Sequence, residues 1–457
     1  MIDQIEIKKP QPKTAYREVM PLKLHTELGS KRSEAGHAEV KIIAKNEDFE
    51  ALEQGWIDLA RESDTHIFQT FEWNKIWWKH FGSNRKLHIV AVYLGNKLVG
   101  IAPLFEDDVT LFGRKVYSCL RFLGSYVSQP EGEPLIGSIS YSDYLDCIIQ
   151  PGYEQLFYLF ILQHFNEINS NFDEIILDEV SEESGACKTM IPLLDVRKNG
   201  LSYKIKQASS SPVIQLDSTW ESFLKSMNAK ERHSVRRYYN RSVKGETMAF
   251  KIEKTKHAEE LPEILVDLIR MHQQQWNKRG FAGTFSEKRM RDFFVEIAKK
   301  FFEKDWIEIN KAVPVEKNIK YVALDVFMTY KNRVYLMHRG MDENPLYKKQ
   351  GPGNVLLFSR LNEAIKDGVK VFDMLRGSED FKLRIATKIN QNKKIVVTSR
   401  YNSEKLFPRL VKGYMKIIKH VRIEELHLII VFDGKSFLRG ITDYVQFLYR
   451  RIKHKLY

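Results

Sequence analysis

One order of elements is written twice along this chain, and no other feature narrows its fold as much. From Asp48 the apolar spacing predicts a helix over Phe49–Ser63, then a second helix opened by Thr70 and carrying Trp73, Trp77 and Trp78, which read as core. Two alternating runs follow, His88–Leu94 and Leu98–Phe105, joined at Gly95-Asn96, a two-residue hairpin signal. Strands at Lys115–Leu123, Tyr144–Ile149 and Glu174–Leu177 and a helix near Tyr153–Ile168 complete the first pass. After Pro212 comes a comparable order: a strand Val213–Leu216, a helix opened by Ser218 or Thr219, a strand Ala249–Glu253, and helices Leu261–Lys278 and Ser286–Phe302. Strands Ile307–Ile309, Tyr321–Tyr330 and Arg333–Arg339 follow, the last two joined by a Lys331-Asn332 turn. A helix Asn354–Asp367 stopped by Gly368 and a strand Val369–Leu375 close the second pass. Strands mixed with helices in this way predict an α/β (α+β mixed) protein of two tandem units, 45–210 and 211–400, each a mixed sheet covered by helices.

The two ends stand outside that pattern. Met1–Ala44 is mixed and charged, with no apolar stretch of signal-peptide length, and is expected to be a flexible lead-in. Residues 401–457 hold 12 Lys or Arg against 5 Asp or Glu and include two amphipathic segments, Leu406–Val421 and Phe437–Ile452, a basic helical extension expected to pack on the second unit with a solvated face, or to meet an acidic membrane or nucleic acid. No segment reaches the roughly 18 uninterrupted apolar residues of a membrane span. With 43% apolar and 29% charged residues the 457-residue chain is globular in composition, and its net charge of +13 favours anionic partners. Cys119, Cys147 and Cys187 are far apart and odd in number, so neither a disulfide framework nor a metal site is implied, and a reducing cytoplasm fits.

The chemistry-bearing residues gather in the second unit. In Tyr347-Lys348-Lys349-Gln350-Gly351-Pro352-Gly353-Asn354-Val355, two glycines follow two strands and open a helix. Glycine lets a backbone approach a ligand closely, and the amides and positive dipole end of a helix attract phosphate oxygens. Gln350, Gly351, Gly353, Asn354 and Val355 are therefore the candidate contacts to a phosphate-bearing donor, with Lys348 and Lys349 adding charge nearby. Downstream, Asp373-Met374-Leu375-Arg376-Gly377-Ser378-Glu379 places ionisable side chains at the carboxyl end of a strand, where open sheets bind ligands. Arg376 and Glu379 are candidate substrate contacts, Arg376 as a bidentate fork for a carboxylate or phosphate. Asp325 lies inside the apolar run Tyr321–Phe327, where burial would raise its pKa toward that of a useful base, while an edge strand would leave it facing water. The stretch Lys225–Arg241 forms a helix with Lys230, Arg237 and Arg241 on one side and Arg232 and Arg236 on another, a solvated face or a contact for an anionic ligand.

These residues resemble a known group. Gly340-Met341-Asp342, the Gly351-Pro352-Gly353 turn with Leu356, Gly368, Asp373, Arg376-Gly377, Glu379 and Phe381-Lys382 look like the GNAT-like acyltransferase domain of the bacterial CelD/BioF2-like family, related to the Fem-type peptidyltransferases. Phe68–Trp73, Gly100–Leu104 and Tyr141-Ser142-Asp143-Tyr144 resemble that family's N-terminal unit. The resemblance implies two GNAT-like units side by side, the second binding acyl-CoA as co-substrate, without a metal, and the cleft taking an amine acceptor. It further implies Lys382 as the group that stabilises charge on the reacting carbonyl or leaving group, and Asp143 and Tyr144 as acceptor contacts. Where the family begins its turn with Ser, this chain has Gly351, and Phe381-Lys382 is the Fem-type form of the pair.

The expectation is an N-acyltransferase moving an acyl group from acyl-CoA to an amine, such as an amino sugar in cell-surface or extracellular polysaccharide synthesis, in the cytoplasm with 401–457 against the inner face of the membrane. Two alternatives stand beside it. One is a Fem-type enzyme that takes an amino acid from charged tRNA, the only nucleic acid expected, to a peptidoglycan precursor, although the long charged helical hairpin of those enzymes is lacking. The other is a catalytically silent, membrane-associated binding protein.

Overall fold

Both predicted hairpins form, and each turns through a residue with positive φ, Gly95 at 57° and Lys331 at 52°. The computed structural model describes residues 38–111, 114–125, 142–196, 200–216, 219–244, 248–316 and 319–399. The expected features at 1–37, Tyr141 and 401–457, and the side chain of Arg241, lie outside the described residues.

The first unit runs β1 (Ala38–Ile43), α1 (Asn46–Ala51), α2 (Glu53–Glu62), α3 (Phe71–Phe81), β2 (Lys86–Leu87), β3 (Ile89–Leu94), β4 (Lys97–Ala102), β5 (Leu104–Leu111), β6 (Arg114–Phe122), β7 (Ile148–Ile149), α4 (Glu154–Ile168), β8 (Glu174–Ser181) and α5 (Ile191–Val196). The long β9 (Leu201–Gln215) leads to α6 (Trp220–Ser226), α7 (Ala229–Lys244), β10 (Phe250–Lys254), α8 (Leu261–Lys278), α9 (Lys288–Phe302), β11 (Ile307–Pro314), β12 (Ala323–Tyr330) and β13 (Arg333–Met341). After them come α10 (Pro345–Lys348), α11 (Pro352–Lys366), β14 (Val371–Asp373), α12 (Asp380–Ile385) and β15 (Lys388–Ser399).

The units are fused more intimately than a tandem reading suggests. A single 11-stranded mixed sheet, in the order β10-β11-β12-β13-β14-β9-β15-β8-β6-β5-β2, crosses both, and a 4-stranded sheet β1-β3-β4-β7 completes the first. The expected boundary at 210/211 falls inside β9, whose Val213–Gln215 pair with β14 while Leu201–Val213 run beside β15. From the end of the second unit, β15 crosses to lie against β8 of the first. The lead-in expected to reach Ala44 also gives way earlier, because β1 pairs along its whole length with β3. Tyr144–Ile149 is a strand only at Ile148–Ile149; Tyr144 itself adopts φ 54°, which no strand residue does.

Apolar burial follows the same fusion. Trp56, Phe68, Trp73 and Trp77 share one core with Leu265, Phe293, Phe294 and Phe301 from α8 and α9. Trp73 meets Phe293 edge-on at 5.2 Å, its helix capped by the Thr70 side chain, and its indole N–H donates to Ser142 Oγ at 2.8 Å. A second core under α4 is private to the first unit but for Ile395 and Val397 of β15; a third packs α11 against Val334, Leu336 and Phe372. The close passage of α4 over β4 depends on Gly100, where a Cβ would overlap the Phe157 ring. Gly100→Ala is expected to destabilise the protein by about 1–3 kcal/mol through overpacking, read as a lower midpoint in denaturant unfolding.

Candidate active site at the parting of two parallel strands

β13 and β14 are parallel neighbours only over Arg333–Tyr335 and Val371–Asp373. Beyond that point β14 ends, and β13 continues to Met341 paired on its other side alone, to β12. The gap opens where chain exits α10 and enters α11. A bulge in the β12–β13 ladder, between Val326 and Phe327, twists β13 as it leaves.

The glycine turn sits at the mouth of this gap. Gly351 caps α11 in the left-handed region (φ 65°, ψ 53°). Besides that backbone, a side chain there would meet Tyr238 of α7 at 2.5 Å, so glycine is required twice over. The Gly351 carbonyl already accepts from Asn354 N and Val355 N, each at 3.0 Å, and Pro352 has no N–H. Of the first-turn amides, Gly353 N–H is the one that no backbone carbonyl meets among the described residues. Gln350 points elsewhere, its Oε1 accepting from Ala249 N at 3.0 Å. Lys348 and Lys349 are exposed beside the turn, and Arg237 of α7 stacks over Tyr238 at 5.0 Å, which brings the exposed basic helix to the same mouth.

Asp325 is fully buried, which decides between the buried and the water-facing positions left open by its strand, and burial raises its pKa against the opposing pull of Arg339. It is not a free carboxylate. Arg339 stands directly across the ladder and binds it with both prongs, Nε to Oδ1 at 2.7 Å and Nη2 to Oδ2 at 2.6 Å. The same Nη2 donates to the Gly353 carbonyl at 2.7 Å, and the Phe381 ring lies 5.1 Å from the guanidinium. The pair therefore ties β12, β13, the glycine turn and α12 together. At Gly353 a Cβ would meet Met341 Sδ at 2.8 Å and Arg339 Nε at 3.1 Å, so the turn is closed tightly from behind.

Arg376 leaves β14 toward the first unit. Its Nε pairs with Asp143 Oδ1 at 2.6 Å, its Nη1 lies 3.5 Å from Glu179 Oε1, and its Nη2 donates to the Ser142 carbonyl. The fork expected for a ligand is thus turned to the first unit's own acceptors. Lys382 is buried, its Nζ donating to the Arg376 carbonyl at 2.9 Å and pairing with Glu379 at 3.1 Å. Its charge also helps burial hold His338 on β13 well below the usual histidine range.

Asp373, His66, Tyr335 and Ser211, which sequence reasoning left out of the site, complete it around Tyr144. Asp373, fully buried at the end of β14, accepts from Leu375 N through Oδ1 at 2.7 Å, and desolvation pushes its pKa up to about 7. Tyr144, 2% exposed, stacks on His66 with ring centres 4.2 Å apart, and His66 Nδ1 lies 3.1 Å from the Tyr335 hydroxyl. Burial holds His66 well below its ordinary pKa, so it is neutral at pH 7. Ser211, wholly buried, adds a hydroxyl near Tyr144. Asp373 was visible in its motif; the others come from segments too far apart for spacing to reveal. Among the described residues no group of side chains is arranged to hold a metal ion, and no helix is long and apolar enough to cross a membrane.

The first unit has no second copy of this mouth among the described residues. At the start of α4, Gly152 N–H donates to the Glu154 carboxylate at 2.9 Å, so the chain's own anion already occupies that positive end.

No curated protein matches the sequence. Among solved structures, FemX is similar at 12% identity over 79% of this chain and 98% of its own, with a TM-score of 0.52, a likeness of fold. L-PGS from Bacillus licheniformis (12% identity, 82% and 98% covered, TM-score 0.44) and a tandem GNAT protein from the clavulanic acid biosynthesis pathway (10% identity, 78% and 98% covered, TM-score 0.38) are further matches. The glycine turn, the parting strands and the Phe381-Lys382 pair all fall within residues 229–383, which match the acetyltransferase (GNAT) domain, and over that stretch the chain carries a domain of this kind.

Proposed function

We propose that the chain is an N-acyltransferase that moves an acyl group from acyl-CoA to an amine, with the donor held in the second unit, 211–400. The observation that carries this reading is the open Gly353 amide at the left-handed Gly351 turn, placed at the mouth of the β13–β14 gap inside a GNAT domain. A phosphate on that amide and the α11 dipole leaves the acyl arm to enter the gap. Direct attack of an amine on a thioester requires positioning, loss of a proton and stabilisation of the oxyanion, with no covalent help from the protein. Lys382, buried beside the gap with two of its three donors engaged, is the cation for the developing charge. Asp325 and Arg376 act as positioning residues, the first fixing the turn through Arg339 and the second holding Asp143 and Glu179 at the junction. The CelD/BioF2-like resemblance supports an amino sugar of a cell-surface or extracellular polysaccharide as the acceptor, and a cytoplasmic enzyme with 401–457 against an acidic membrane.

Calorimetric titration with acetyl-CoA, longer acyl-CoAs and charged tRNA tests the donor. The expected result is saturable binding of an acyl-CoA by the wild type, abolished in Gly353→Asp, whose side chain would collide with Met341 and Arg339 and displace the turn. Binding of charged tRNA alone would transfer the reading to the Fem-type alternative, and binding of neither would leave the silent protein. For Lys382→Ala the expectation is a kcat lower by about 100-fold with acyl-CoA affinity retained, measured as CoA released with amine present.

A further inference from the structure

We propose that Asp373, with Tyr144 beside it, receives the acceptor's amino group on the face of the sheet opposite the glycine turn and takes its proton. This rests on the acyl-transfer reading and supplies the base that Asp325, locked to Arg339, does not.

The first support is a poorly met pair. Asp373 Oδ2 and Tyr144 Oη are both buried and close enough to shift each other's ionisation through a side-chain hydrogen bond, with Ser211 also beside the Tyr144 hydroxyl, yet neither atom reaches full hydrogen-bond geometry among the described residues. Buried polar atoms are nearly always well satisfied, so a pair in such geometry marks a place where a polar ligand improves the bonding. The second is location. Phe372 packs into the α11 core, so its neighbour Asp373 faces the other side of the sheet, where its ladder partner Tyr335 lies in the core shared with α8 and α9. Asp373 also stands at the last paired position before β13 and β14 part, so an acyl arm threaded through the gap from the glycine turn emerges next to it. The third is strain. Tyr144 (φ 54°), Glu179 (φ 55°) and Leu375 (φ 55°) are non-glycine residues in the left-handed region, all at this junction, which is where folds retain such conformations for function.

Charge selects the ligand. The groups around the seat are Asp143, Tyr144 and Glu179 from the first unit, His66 stacked on Tyr144, Arg333 and Tyr335 on β13, and Arg376 at the exit of β14. Asp143 and Glu179 flank the Arg376 guanidinium, and Asp373 lies within electrostatic reach of Asp143 and Arg333, so three carboxyl groups face two guanidiniums, an imbalance that a bound ammonium corrects. The ligand class is therefore a primary amine on a small polar molecule.

In the step this implies, the bound ammonium gives one proton to the Asp373 carboxylate, and the freed nitrogen lone pair forms the C–N bond at the thioester carbonyl. The tetrahedral intermediate collapses with cleavage of the C–S bond. A second proton leaves the nitrogen for the departing thiolate, and Asp373 returns its proton to solvent. Proton transfer of this kind contributes about 10²–10⁴-fold to rate.

The test compares wild type, Asp373→Asn and Asp373→Glu with acetyl-CoA and two probe amines, glucosamine and 2-aminoethanol, the latter titrating well above neutrality. Turnover is followed as kcat and KM across roughly pH 5–9, with acetyl-CoA affinity and Tm measured for each variant. Expected for the wild type is a kcat/KM limb that rises with an apparent pKa of about 7. Asp373→Asn loses that limb and falls by about 10²–10⁴-fold with acetyl-CoA affinity unchanged, and Asp373→Glu restores part of both. Acetyl-CoA bound normally while Asp373→Asn keeps the rate and the limb, or while the wild type turns over neither amine, overturns the assignment of Asp373 alone. Failure of the wild type to bind any acyl-CoA overturns the acyl-transfer reading as well.

Discussion

Arg376→Ala is expected to cost about 3–5 kcal/mol of stability, the usual consequence of removing one partner from a buried ion pair. Asp143 and Glu179 are 3% and 4% exposed, and Arg376 is the cation that structure brings to both. Without it, two carboxylates remain in a low-dielectric junction and the Ser142 carbonyl loses a donor. Desolvation already raises Glu179, with Arg376 the main opposing influence, so the variant should take up a proton on folding near neutral pH. Chemical denaturation of Arg376→Ala, Asp143→Asn and the double variant forms the check. The double variant should recover part of the loss, because one of the two uncompensated charges is then gone. Equal and additive losses would show that the junction is held by packing instead.

The second large effect is in the pH dependence of stability. Burial pushes the Asp373 pKa up to about 7 in the fold, against about 3.9 for an unperturbed aspartate. Between those values the folded state holds a proton that the unfolded state has released, so stability falls as pH rises through the window and the penalty is complete above about pH 7. Three pH units correspond to on the order of 4 kcal/mol. Asp373→Asn removes the titration, so the variant should gain on the wild type as pH rises from about 4 to 7 and run parallel above it. Unfolding midpoints at matched ionic strength measure this directly. A constant difference across the window would place the Asp373 pKa near that of an ordinary carboxylate.

What was legible in the sequence was local. The hairpins at Gly95-Asn96 and Lys331-Asn332 announce themselves by turn chemistry, and Leu261–Lys278 was readable to the residue because its apolar face repeats over five turns. The apolar neighbours of Asp325 left it either buried or facing water from an edge strand, and gave no sign of its partner. Counting back from the Tyr330–Arg333 pair, an unbroken ladder would set Asp325 opposite His338; the bulge shifts the register by one and brings Arg339 instead. The first half of β9 and all of β15 escaped notice because they are largely polar, with Lys204 to Ala208 exposed, and are held by a ladder between segments nearly 200 residues apart. The same distance hides Arg376 from Asp143, and Tyr144 from Asp373. Sequence reasoning named Asp143, Tyr144, Arg376 and Lys382 one by one, and folding brings them to a single junction whose chemistry no spacing encodes.

Hydrogen exchange with and without acetyl-CoA addresses the central claim that the Gly351 turn of the second unit holds an acyl donor. The account predicts slowed exchange at the amides from Gly351 to Leu357 and along Leu336–Met341, with no change at the start of α4, whose positive end Glu154 already fills. Protection at α4, or none at the glycine turn at saturating acetyl-CoA, would contradict it.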